Sequence, residues 1–135
     1  MVRTLSPAAH AAILRAAERA HPHEACGLLL GAGAEGGDHV HTALPTANVH
    51  PDPARHFEID PAALLAAHKA ARSGGPRLIG FFHSHPNGLA RPSATDARDA
   101  AHDGRVWLIV AKGTITAWKD LPSGFEPLSY SVRDG

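Results

Sequence analysis

The run from Arg77 to Phe82 (RLIGFF) constrains this chain more than any other segment. It is apolar at consecutive rather than alternate positions and too short for a buried helix. Such a run is an interior strand with both faces covered. Ala25 to Leu30 (ACGLLL) also reads as a buried strand, and Val106 to Ala111 as a strand paired in a hairpin with Thr114 to Trp118 around Lys112-Gly113. Helical signals lie between these runs. Ser6-Pro7 places a capping hydroxyl ahead of a proline at the first helical position, and that helix runs to Ala20, stopped by Pro22. Asp60-Pro61 opens a second helix over Ala62 to Arg72, closed by Ser73-Gly74-Gly75. Ser93 opens a third, reaching His102. Asp38 to Leu44 alternates as a strand, His56 to Ile59 reads as a short one, and Leu128 to Val132 as a weak last one. Without the weak last strand, the order α-β-β-β-α-β-α-β-β predicts an α/β protein, a mixed central sheet flanked by helices.

A length of 135 residues fits one domain, expected to span 1–135. Alanine fills 26 of those positions and aromatic residues only seven, so the core must rest on short Leu, Ile, Val and Phe runs with close helix packing. Thirteen basic residues balance thirteen acidic ones. That balance removes the main electrostatic argument for binding nucleic acid or a membrane surface. No apolar run nears the ~20 residues of a membrane span, and the N-terminus carries charges through its apolar stretch, unlike a signal peptide. The single cysteine, Cys26, excludes an internal disulfide and suits a reducing compartment, so a cytoplasmic location is expected. Eleven histidines are the one unusual number.

Those histidines direct attention to His83-Ser84-His85-Pro86-Asn87-Gly88-Leu89-Ala90-Arg91-Pro92-Ser93-Ala94-Thr95-Asp96. His83 and His85 end a stiff apolar strand two residues apart, so both imidazoles project from one face. Two neutral imidazoles side by side suit zinc. Asp96 falls in the first turn of the next helix, where it offers an oxygen. Three such ligands leave a fourth tetrahedral position for water, the pattern of a catalytic site. Each fragment has a plainer explanation: an HxH pair is more often hydrogen-bonded than metal-binding, and Ser93-x-x-Asp96 is a capping box. The joint spacing is what favours the metal.

The segment HSHPNGLARPSATD resembles the H-x-H-x7-S-x2-D signature of the JAMM (MPN-plus) metalloproteases. The upstream HPHEACGLLLG resembles the stretch that carries their catalytic glutamate, and Phe57-Glu58-Ile59-Asp60-Pro61 a stretch between the two. The resemblance covers residues 5 to 120. It implies a deaminase-like α/β/α sandwich with one zinc ion held by His83, His85 and Asp96. Glu24 would be the general acid/base, and Ser93 would stabilise the developing oxyanion. It also implies hydrolysis after the C-terminal glycine of a ubiquitin-like protein, or of a sulfur-carrier protein in a prokaryotic host. The alternative is a non-catalytic protein-binding scaffold of the same fold, but such relatives usually lose ligands, and all five positions are filled here. Oligomeric state is not legible.

Other groups carry weaker signals. Cys26, two residues beyond Glu24, is a possible thiol nucleophile, but a small buried thiol is the commoner setting. His21-Pro22-His23 is a second HxH in a loop, either exposed or beside the substrate path. Trp107 and Trp118 read as packing residues. The stretch around Phe57 is a candidate sheet edge for an extended peptide.

Overall fold

The computed structural model describes residues 2–32 and 39–134. In chain order the elements are β1 (Val2–Leu5), α1 (Pro7–Ala20), β2 (Cys26–Gly31), β3 (His39–Val40), β4 (Thr42–Thr46), α2 (Pro61–Arg72), β5 (Arg77–Ser84), α3 (Ala94–Asp99), β6 (Val106–Ala111), β7 (Thr114–Leu121) and β8 (Gly124–Val132). The strands form one sheet in the order β3-β1-β8-β7-β6-β5-β2-β4. β5 pairs parallel with β6, and β1 parallel with both β3 and β8. The other ladders are antiparallel, so the sheet is mixed.

Side-chain alternation divides this sheet into two faces. On one, α1 lays Ala9 and Ile13 against Leu29, Phe82, Leu108 and Val110, all buried in a single core. The α1 N-terminus forms as the sequence dictates: the Ser6 hydroxyl accepts from the Ala9 amide at 3.0 Å, with Pro7 next. On the other face α2 packs on β5. There Phe81, His83 and Trp107 point toward α2 and the loop that holds Phe57. No α2 residue is fully buried, and Leu65 remains 54% exposed, so this layer is the looser one.

Several expectations need correction. The sequence carries no local signal for β1, yet Val2–Leu5 is a strand; it zips β8 to β3, and its Leu5 is fully buried. His56 to Ile59 forms no strand, only a bridge between Asn48 and Ile59, because the Asn48 side chain and the Val49 amide take up its backbone groups. The stretch 38–44 is two short strands broken at His41, whose amide bonds to Leu30 O; Asp38 lies outside the described residues. α3 ends at Asp99 rather than His102, since His102 turns to φ +57° and donates its amide to the buried Asp120. The closing strand begins at Gly124, turning back from β7 in a second hairpin.

Gly80 lies at a shift in the β2–β5 register, where Ile79 is the extra residue. A Cβ there would sit 1.7 Å from Val106 O on the neighbouring strand, a backbone atom that cannot turn aside. Gly80→Ala is therefore expected to cost about 3 kcal/mol or more. A urea titration checks this; an unchanged midpoint would mean that β5 and β6 separate without penalty.

Candidate metal centre

The β2–β5 register pairs Cys26 with His83. Continued two residues past the ladder, it brings Glu24 opposite His85. Ser84 locks that approach from both sides of the peptide: its amide donates to Ala25 O at 3.0 Å, and its hydroxyl accepts from the Ala25 amide at 2.7 Å. His85 is fixed in turn by its amide, which donates to Val110 O at 2.9 Å. Ligand-type atoms of Glu24, His83 and His85 all lie within 4.8 Å of one another, and all three residues are buried.

Asp96 completes the cluster from the far side of the loop. Its Oδ2 lies 3.1 Å from His83 Nε2 and 3.0 Å from His85 Nε2, and the two Nε2 atoms are 2.9 Å apart. Ser93 aims this carboxylate: its amide donates to the same Oδ2 at 2.9 Å, and its hydroxyl accepts from the Asp96 amide at 3.0 Å. The capping box thus holds the same carboxylate that faces the two imidazoles. Accepting that bond leaves the Ser93 O–H free to donate into a cleft of about 350 Å³ shared with Glu24 and His85.

The donor set fits a divalent cation. His85 Nδ1 lies 2.7 Å from Leu89 O, an acceptor only, so Nδ1 carries the proton and a neutral ring leaves its Nε2 lone pair facing the cluster. His83 Nε2 and Asp96 Oδ2 converge with it, each within 3.1 Å of the others. In addition, Glu24 Oε1 is buried without a hydrogen-bond partner. In the cation's absence only protons can relieve this crowding, and the acidities reflect it. Burial, with the carboxylates of Asp96 and Asp52 adding to it against His85, pushes Glu24 up to about 7. Burial lowers the His83 imidazolium, against Asp96. Burial also acts to lower His85, but hydrogen bonds to Asp96 and Leu89 and two nearby carboxylates outweigh it and leave a raised value. Burial works to raise Asp96, yet its bonds to both imidazoles and the Ser93 amide hold it well below the usual carboxylate range.

The five residues singled out in the sequence therefore meet in one place. Two supporting residues were not foreseen. Phe57 stacks on His83 with ring centroids 4.3 Å apart, and Trp107 meets the same imidazole edge-on. Asn48 uses its whole amide: Nδ2 donates to Glu24 O and His56 O at 3.0 and 2.9 Å, while Oδ1 accepts from the His50 and Glu58 amides. Asn48 sits in a proline-rich loop with no signal of its own, while Phe57 lies in the stretch that the sequence marked as a candidate sheet edge, not as a partner of His83. Asn48→Asp keeps the two acceptor bonds but sets a carboxylate against two carbonyls. It is expected to lower kcat roughly tenfold with metal content intact; kcat measured beside metal analysis checks it.

Cys26 neighbours this cluster in the ladder, but its thiol bonds elsewhere. Its thiol faces Thr46 and the Ala47 carbonyl, and burial raises its pKa, which disfavours a thiolate.

Fold and site together define an α/β sheet protein with a buried two-histidine, one-aspartate centre at the end of an interior strand. The chain belongs to the family of prokaryotic homologs of the JAB domain, whose model matches residues 6–121. A desampylase of Haloferax volcanii is 38% identical over 113 residues, covering 83% of this chain and 80% of that one. A CysO-cysteine peptidase of Mycobacterium tuberculosis is 31% identical over 124 residues, covering 92% and 78%. A solution structure from Desulfitobacterium hafniense superposes with a TM-score of 0.84 at 32% identity, covering 100% of this chain and 94% of that one. No helix among the described residues is long and apolar enough to cross a membrane.

Proposed function

We propose that this protein is a zinc-dependent peptidase that hydrolyses the bond after the C-terminal glycine of a ubiquitin-like or sulfur-carrier protein. The observation that carries the reading is the convergence of His83 Nε2, His85 Nε2 and Asp96 Oδ2 within 3.1 Å, beside the partnerless carboxyl oxygen of Glu24. Relatives named for desampylation and for CysO-cysteine cleavage support the substrate class.

His83, His85 and Asp96 would hold the ion. Zinc, when bound, supplies a Lewis acid that makes a water nucleophilic near neutral pH and polarises the scissile carbonyl. Glu24 would accept a proton from the attacking water and return it to the departing amine. Its burial raises its basicity toward working pH, which suits it to both halves of the task. Ser93 would donate a hydrogen bond from its hydroxyl to the carbonyl oxygen as charge builds there. The acyl side of the substrate lies along the Asp96 side, where Phe57, Leu64, Phe81 and Trp107 line a cleft of about 450 Å³.

The test is cleavage of a ubiquitin-like protein extended beyond its terminal Gly-Gly, followed by intact mass. A product ending in glycine, made only with zinc present, is expected. Absence of cleavage by the zinc-loaded protein sinks the reading. Ser93→Ala is expected to lower kcat by about 10²-fold with KM little changed. It also loses a helix cap worth about 1 kcal/mol, so Ser93→Thr, which keeps a hydroxyl, should recover most of both losses.

A further inference from the structure

Glu24 forms a wall of two hollows. One is the cleft it shares with His85 and Ser93. The other, about 750 Å³, runs away from the centre between α1 and β4. Its floor is smooth where it follows α1, with Ala12, Ala16 and Ala20, while Arg15, Arg19 and His23 stand along it. Arg15 and Arg19 are one turn apart on the same helix face and exposed. Neither is ion-paired with an acid among the described residues, and Glu24 is the one carboxylate among the described residues lining this groove. The chain as a whole is neutral, so the cationic groove is a local feature rather than a reflection of composition.

The chemistry says which part of a substrate reaches this groove. Glu24 returns its proton to the departing amine, so the departing chain must lie on the Glu24 side of the scissile bond. The aromatic cleft beside Asp96 is left for the acyl side. We propose that the groove between α1 and β4 receives the leaving segment and selects substrates with acidic residues just after the scissile bond, through Arg15 and Arg19. The inference rests on the peptidase reading above and adds the chemistry of the leaving side.

Three fusions test it. Each is a ubiquitin-like protein ending in Gly-Gly, followed by Ala-Asp-Glu-Asp, Ala-Ser-Thr-Ser or Ala-Lys-Arg-Lys. The zinc-loaded protein is expected to favour the acidic over the basic extension by roughly tenfold in kcat/KM at low salt. Raising salt to about 0.5 M should flatten the preference. Arg15→Glu combined with Arg19→Glu should reverse it. Arg133→Glu, just past the end of β8, should leave it as in the wild type. Equal rates for acidic and basic extensions, or a preference untouched by the double reversal, overturn the inference while leaving the peptidase reading standing. If none of the fusions is cleaved, the peptidase reading itself fails. A second readout does not depend on turnover. Titration with the peptide acetyl-Ala-Asp-Glu-Asp should shift the amide resonances of Arg15, Arg19 and His23 in the wild type and not in the double reversal. Their silence in the wild type would also overturn the inference.

Discussion

Glu24→Gln is expected to lower kcat/KM by about 10³-fold while the protein still binds its metal and melts at an unchanged or higher temperature. Glutamine keeps the side chain's size and its place against β5, but it cannot accept the proton of a water and cannot return one to an amine. The three residues assigned as ligands, His83, His85 and Asp96, are untouched, so metal content should hold at one ion per chain. Stability should respond in the opposite direction from activity. Burial pushes the Glu24 carboxyl from 4.5 to about 7 in the metal-free protein. The folded state therefore binds this proton more tightly than the unfolded chain does. That contribution is fully present below pH 4.5 and is lost as pH rises to about 7. The metal-free Glu24→Gln protein should lack this decline, so above neutral pH it should be the more stable of the two. Chemical denaturation at pH 5 and pH 8 reads this difference directly. Equal cleavage by wild type and Glu24→Gln would remove Glu24 from the mechanism.

The parts of this molecule that were legible are those in which neighbouring residues decide the outcome. Phe81, Phe82, His83 and His85 announce themselves because strand periodicity and strand end fall within nine residues of sequence, and Ser93 with Asp96 because a helix start has local chemistry. β1 could not be seen. Its four residues VRTL are half polar, and they are held by β8, with Val2 opposite Ser129 at the far end of the chain. The end of α3 depends on a buried carboxylate eighteen positions further on, since Asp120 draws the His102 amide out of the helix at 2.9 Å. The support given by Asn48, and by Phe57 beyond its place at a candidate sheet edge, is illegible for a related reason. Each acts on a residue more than twenty positions away, Glu24 and His83 respectively, and a loop carries no period to place it. Spacing finds candidate ligands; the residues that hold ligands still come from tertiary contact.

Removing the metal is expected to lower kcat/KM by at least roughly 10³-fold, reversed by added zinc, because the several kcal/mol of charge stabilisation supplied by the ion have no substitute in the protein. The same loss should be visible without substrate. On the proposed reading zinc binds the folded chain alone, so at a hundredfold excess over Kd it should add about 2.7 kcal/mol and raise Tm by roughly 10 °C. The dependence on pH follows from which atoms compete with protons. Asp96 stays ionised, held well below the usual carboxylate range by both imidazoles and the Ser93 amide even though burial opposes this. His83, with its pKa lowered chiefly by burial, remains neutral. His85 is the imidazole with a raised value, so its proton is the first that the metal must displace. Affinity should therefore fall as pH drops through neutrality, by roughly tenfold per unit while one proton is displaced. His85→Ala should lose both the ion and the thermal shift. Calorimetric titration of zinc at pH 8, 7 and 6 reads the slope and the proton release together. A Kd independent of pH across that range would mean that His85 is not a ligand.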